Sequence, residues 1–100
     1  MMGQVQKNQF EIAGRVTHIG QPEQVTAKTT IRKVVLETVT GVNWKNETFF
    51  EFRNTLMKEL DGVETGNWVT ILFQLSGRRV VKNEITKFYN TIEGLRCSKD

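Results

Sequence analysis

The side chains of this 100-residue sequence that have chemistry to offer are aromatic and cationic, not acidic or nucleophilic. Trp44, Phe49, Phe50, Phe52 and Trp68 crowd the middle of the chain, and Phe88 and Tyr89 follow towards its end. Around them fall Arg15, Lys28, Arg32, Lys33, Arg53, Arg78, Arg79 and Lys82. Aromatic faces stack on bases, at about 1–3 kcal/mol per base, and cations neutralise the phosphates between them. That pairing of residue types suits a single-stranded nucleic acid held without regard to sequence.

Other chemistries lack their reagents. Acid, base and nucleophile must converge for hydrolysis or transfer, and two-metal catalysis needs clustered carboxylates. His18 is the sole histidine, and Asp61 and Asp100 are the sole aspartates. Cys97 is the only cysteine, so no internal disulfide forms, and it reads as an inert thiol. The glycines sit singly at turns, with none of the spacing that cradles a phosphate. The sequence therefore predicts a binding protein without cofactor or metal, not an enzyme.

A formal charge of +3 is compatible with a polyanionic partner, but the location of the charges says more than their sum. Arg15 belongs to the first strand, Lys28, Arg32 and Lys33 to the entry of the second, and Arg53 to the third. Arg78, Arg79 and Lys82 occupy a glycine-containing segment ahead of the last strand, whereas Glu59, Asp61 and Glu64 gather around a short helical stretch. No apolar run approaches the roughly 20 residues of a membrane helix, and the first residues lack the apolar core of a signal peptide. A cytoplasmic location is expected.

The elements that must position these groups are strands and turns in one domain, 1–100, with 1–8 as a flexible lead-in. Phe10, Ile12, Gly14 and Val16 alternate against Glu11, Ala13, Arg15 and Thr17, the period of a half-buried first strand whose mid-strand glycine marks a bulge or bend. Gly20 to Thr29 is polar, contains Pro22 and reads as a loop. Thr30 to Thr40 is the second strand, Gly41 to Asn46 a turn carrying Trp44, and Thr48 to Arg53 the third strand. Leu56 and Leu60 share one side of a short helix with Asn54 or Thr55 as its N-cap, and Asp61-Gly62 ends it. Asn67 to Ser76 is the fourth strand, Ser76 to Asn83 a basic hairpin region, and Ile85 to Leu95 the fifth strand. Five strands with one short helix between the third and fourth is the order of an all-β OB-fold, a Greek-key barrel. Without that helix the pattern would suit an SH3-like barrel.

Alternation sorts the aromatics. Phe50 and Phe52 share the inward face of the third strand, which leaves Phe49 and Arg53 as an outward stacking and phosphate pair. Trp44 in its polar turn is a second stacking candidate. Trp68 is out of phase with Val69 and Ile71 and faces away from the core or caps the barrel end. Phe88 and Tyr89 point to opposite faces, and the hydroxyl makes Tyr89 the outward one.

These residues resemble a known family. Phe10 to Val16, Thr48 to Phe52 and Val63 to Val69 are similar to the early Gly-Arg strand, the Thr-x-aromatic strand and the Thr-Gly-x-x-Val turn of bacterial and phage single-stranded DNA-binding proteins. A compact OB-fold group like them carries Phe-Glu-x-x-Gly and Phe-x-x-x-Gly-Arg segments. Phe50 to Asn54 and Phe73 to Arg79 fit these, with Asn54 in place of the glycine. The resemblance covers roughly Phe10 to Arg96 and implies nonspecific coating of single-stranded DNA in replication, recombination or repair. It also implies dimers or tetramers, and a stacking role for Phe50, which alternation sends inward; both Phe49 and Phe50 are therefore carried as candidates. Bacterial members usually end in an acidic, partner-recruiting tail. This sequence ends Arg96-Cys97-Ser98-Lys99-Asp100, so that role is not carried over, and a stand-alone or phage protein is expected. The alternatives are an OB-fold module for protein interaction or structural oligomerisation, and an RNA-binding protein.

Overall fold

Apolar residues at every second position give each strand one face to bury, and five such strands bury it together by closing on themselves. The computed structural model describes residues 7–41 and 44–100. It contains strands β1 (Phe10–Ile19), β2 (Glu23–Thr26), β3 (Thr29–Thr40), β4 (Trp44–Arg53), β5 (Trp68–Lys82) and β6 (Ile85–Lys99), with a 3-10 helix (Asn54–Leu60) after β4. The sheet runs β1-β5-β6-β4-β3-β2, and a further pairing of β1 with β3 closes the barrel. β4 and β6 meet in parallel at Glu51 and Glu93, the seam between the two halves. Apart from β2, which fringes β3, this is the expected five-stranded OB-fold, with its helix between the third and fourth barrel strands.

Val16, Val34, Leu36, Phe50, Phe52, Leu60, Val63, Val69 and Ile71 form the core. Phe50 and Phe52 are 2% and 0% exposed, so the alternation reading of β4 holds and Phe50 is closed to any base. The Phe50 ring instead meets Phe73 edge-on at 5.3 Å. Gly94 has no room for a side chain because a Cβ there would overlap the Phe52 ring. Gly14 is likewise required by close approach: a Cβ would lie 2.7 Å from the Glu37 carbonyl oxygen, where β1 passes from β5 to β3. The bulge expected at Gly14 falls just beyond it, between Val16 and His18.

Several boundaries differ from expectation. The predicted loop Gly20 to Thr29 contains β2, whose four residues are all exposed and so show no hydrophobic period. Trp44 opens β4 instead of sitting in a turn, paired across from Thr40; residues 42 and 43 of that turn lie outside the described residues. The helix has no side-chain N-cap. Asn54 uses its side chain elsewhere, accepting the Thr30 backbone N–H at 3.0 Å. Its φ of 50° is left-handed, a conformation open to glycine and asparagine, which accounts for Asn54 where related motifs carry glycine.

β5 and β6 also run further than the sequence suggests, to Lys82 instead of Ser76 and to Lys99 instead of Leu95, while β6 starts at Ile85 as expected. The turn is only Asn83-Glu84, both at positive φ (51° and 64°), as a twist-matched two-residue hairpin requires. Residues 1–6 of the predicted lead-in lie outside the described residues. Asn8, also within it, donates from its amide to the Leu75 carbonyl at 2.6 Å and accepts the Leu75 N–H at 3.0 Å. Among the described residues no helix is long and apolar enough to cross a membrane.

Candidate nucleic-acid interface

Beyond the barrel, β5 and β6 continue as a two-stranded ribbon whose residues 82–90 are all exposed. Its register decides what each face offers. Ser76 pairs with Thr91, Arg78 with Tyr89, Val80 with Lys87 and Lys82 with Ile85, and directly opposed residues share a face. The other face carries Leu75 with Ile92, Arg79 with Phe88, and Val81 with Thr86. Arg78 and Arg79, read together from the sequence as one basic hairpin, thus point to opposite sides of a strand, not into a loop.

The first face forms one wall of a groove of about 360 Å³. Val25, Thr26 and Thr29 of the β2–β3 hairpin form the other wall, and Arg53 reaches in from the end of β4. Arg78, Tyr89 and Thr91 line the ribbon side. The Arg78 guanidinium carbon lies 6.0 Å from the Tyr89 ring centroid. Tyr89 also lines an adjoining hollow of about 330 Å³ with Lys82 and Lys87 further along the ribbon. Cation, aromatic ring and further cations therefore follow one another along a single surface. Within 4.0 Å none of Arg78, Lys82 and Lys87 has an ion-pair partner among the described residues. Lys28 is exposed in the turn between the two hairpin threonines, its backbone N–H bonded to Thr26 Oγ1 at 3.3 Å.

The other candidates are elsewhere. Lys33 Nζ lies 4.8 Å from the centre of the Phe49 ring on the outer surface of β3 and β4. Phe49 and Arg53 are both exposed, as alternation suggested, and Arg53 Nε lies 3.4 Å from Glu93 Oε2. Phe49 borders an apolar hollow with Leu75 and Ile92, on the second face of the ribbon. Arg79 is 5.7 Å from the Phe88 ring on that same face. Arg15 is bound to Glu37 at 3.1 Å. Arg32 is half-buried, with Nε donating to the Gly20 carbonyl at 2.8 Å. Trp44, 72% exposed, begins β4 at its far end from Arg53, and Trp68 faces Arg15 across the β1–β5 pairing. At about 3.3 Å per residue, Trp68 is about 33 Å along β5 from Arg78. Neither tryptophan belongs to the groove.

Sequence reasoning missed Lys87, Glu93 and the threonines of the β2–β3 hairpin. Lys87 was within reach of it. Once the turn is placed at Asn83-Glu84, counting outwards puts Arg78 opposite Tyr89 and Lys87 beside Val80, on Tyr89's own face. Nothing in the sequence marks the hairpin, whose residues acquire their place only through pairing with β3.

The remaining titratable groups are scattered. Burial, reinforced by the nearby Glu59 carboxylate, pushes the half-buried Cys97 thiol up to about 11. Glu59 Oε1 also accepts the Cys97 backbone N–H at 3.1 Å. Among the described residues no three of His, Cys, Asp and Glu gather closely enough to hold a metal ion.

Solved structures share this architecture at low sequence identity. The mitochondrial single-stranded DNA-binding protein of S. cerevisiae superposes with a TM-score of 0.67 at 11% identity, covering 95% of this chain and 96% of its own. A Plasmodium falciparum SSB solved in complex with single-stranded DNA gives 0.58 at 15% identity, with 99% of each chain covered. The small single-stranded DNA-binding protein of Streptomyces coelicolor gives 0.56 at 12% identity, with 96% of each covered. These likenesses establish the fold. No curated protein sequence matches the chain. A family model does, over residues 11–98, and the chain therefore belongs to the family described as a domain of unknown function, DUF3127.

Proposed function

We propose that this protein binds single-stranded DNA without sequence selectivity, as a non-enzymatic coat for strands exposed in replication, recombination or repair. The observation that carries the reading is the convergence of Arg53, Arg78 and Tyr89, from three separate strands, on the groove between the β2–β3 hairpin and the ribbon. Those are the two loop regions that flank the binding face of an OB-fold. In this reading a base stacks on Tyr89, Arg53 and Arg78 take the phosphates beside it, and Lys82 and Lys87 carry the strand outwards. The threonine hydroxyls offer hydrogen bonds that accept any base. Neighbours of this fold that bind single-stranded DNA support the substrate class.

Anisotropy of an end-labelled oligo(dT) is the test, with an oligo(rU) and a duplex in parallel. Tight binding of oligo(dT) at low salt, with the duplex weaker, is expected. No binding at low salt would sink the proposal, and preference for oligo(rU) would reassign it to RNA. Quenching of tryptophan fluorescence is a poor substitute, because Trp44 and Trp68 lie outside the groove.

A second reading rests on the ribbon's other face, where Leu75, Val81 and Phe88 are 52%, 62% and 66% exposed. Apolar side chains in such a row suit self-association into a homo-oligomer. Sedimentation of the wild type and of Phe88→Glu distinguishes an assembly from a monomer.

A further inference from the structure

Glu93 lies beside the groove and, among the described residues, is the one carboxylate paired with a cation that lines it. Its side chain is 17% exposed, against 44% for Arg53. One oxygen, Oε2, meets Arg53 Nε at 3.4 Å, and the other, Oε1, accepts from Gln74 Nε2 at 2.8 Å. Both carboxylate oxygens are thereby engaged. Arg53, by contrast, is held only along its Nε edge; its two terminal amino groups have no hydrogen-bond partner among the described residues. A guanidinium with a carboxylate against its Nε leaves its two terminal amino groups free to fork onto a phosphate.

Resting on the reading of this groove as a single-strand site, we propose that Glu93 is an internal counter-anion that does two opposed things to that site. It orients Arg53 towards the strand, and its charge weakens the grip on each phosphate held there. Gln74 anchors the carboxylate so that Glu93 stays with Arg53 and does not swing into solvent. Glu51, its Cα partner across the β4–β6 seam, adds a second carboxylate on that side. The pair keeps phosphates on the ribbon side of Arg53 and makes the strand easier to release.

The two effects separate by substitution. Glu93→Gln removes the charge and keeps an acceptor for Arg53 Nε, while its amide N–H donates to a Gln74 side chain turned to accept. Glu93→Asp keeps the charge but shortens the reach, so that Arg53 loses its support. Affinity for labelled oligo(dT) is measured for both, with thermal unfolding as a check on folding. Removing one charge several ångströms from a phosphate should tighten Glu93→Gln binding about three- to tenfold at low salt. That gain should shrink towards nothing as screening rises. Glu93→Asp should bind about two- to fivefold more weakly at every salt concentration, since one charged contact at an exposed site is worth up to about fivefold. In an Arg53→Ala background the Glu93→Asp effect should fall below twofold, whereas the Glu93→Gln gain, a direct repulsion of the phosphates, should persist at low salt. A folded Glu93→Gln protein that binds no tighter than the wild type overturns the proposal. If Glu93→Gln does not fold, an unweakened Glu93→Asp overturns it instead. Failure of the wild type to bind oligo(dT) removes the single-strand reading itself, and this inference with it.

Discussion

Tyr89 is the residue on which the binding account turns. It is 51% exposed, lies under Arg78 and lines both hollows along the ribbon. Tyr89→Ala should therefore weaken oligo(dT) binding by about 1–3 kcal/mol, the value of one stacked base, whereas Tyr89→Phe should retain most of the affinity. Titration of the binding isotherms checks both. Cys97 makes the contrasting case of a residue whose chemistry is shut off. With its thiol pushed from 9.0 to about 11, chiefly by burial, it is protonated throughout the neutral range. Alkylation by iodoacetamide should be slow at pH 8 and accelerate only as pH approaches 11. Because the folded value is raised, the thiol's contribution to stability is complete below pH 9.0 and is lost as pH rises through about 11. A Cys97→Ser variant should lose less stability across that window in alkaline unfolding experiments.

At the scale of elements, the ribbon turn is the least favourable local choice in the fold. Glu84 holds φ of 64° without the freedom of glycine. Left-handed backbone costs a side-chain-bearing residue about 1–2 kcal/mol, and Asn-Gly is the preferred two-residue turn. Glu84→Gly should accordingly raise the unfolding free energy by about 1 kcal/mol if the turn unfolds with the barrel, measured by urea denaturation. The barrel strands were legible in the sequence because each buries one face: Phe50 and Phe52 against Phe49, and Val69 and Ile71 against Trp68, follow the period of two directly. The ribbon and β2 were not legible, because neither face of either is buried and nothing alternates. Ser76-Gly77 looks like a turn for the same reason, although Gly77 lies within β5 opposite Asn90.

The candidate site was legible in its residue types and only partly in its arrangement. Arg53, Arg78 and Tyr89 come from segments 25 and 11 residues apart in the chain, and only barrel closure and the ribbon register bring them to one groove. The same closure removes Phe50 to the core and leaves Arg15 tied to Glu37. It also sends Arg79 to the far side of the ribbon from Arg78. Adjacent positions on a strand face opposite ways, so two neighbouring arginines that look equivalent in the sequence are not equivalent in the molecule.

At the scale of the whole molecule, the proposed strand path follows one face, past Arg53, Arg78, Lys82 and Lys87. Neutralising four phosphates releases counterions from single-stranded DNA at about 0.7 per contact, so log Kobs should fall against log salt with a slope of about −2.8. The decisive measurement is this salt titration, by oligo(dT) anisotropy, on the wild type, Arg78→Ala and Arg79→Ala. Arg78→Ala should reduce the steepness by about 0.7 and weaken binding, while Arg79→Ala should leave the slope near the wild-type value. A wild-type slope near zero, or equal losses from the two variants, would contradict that path.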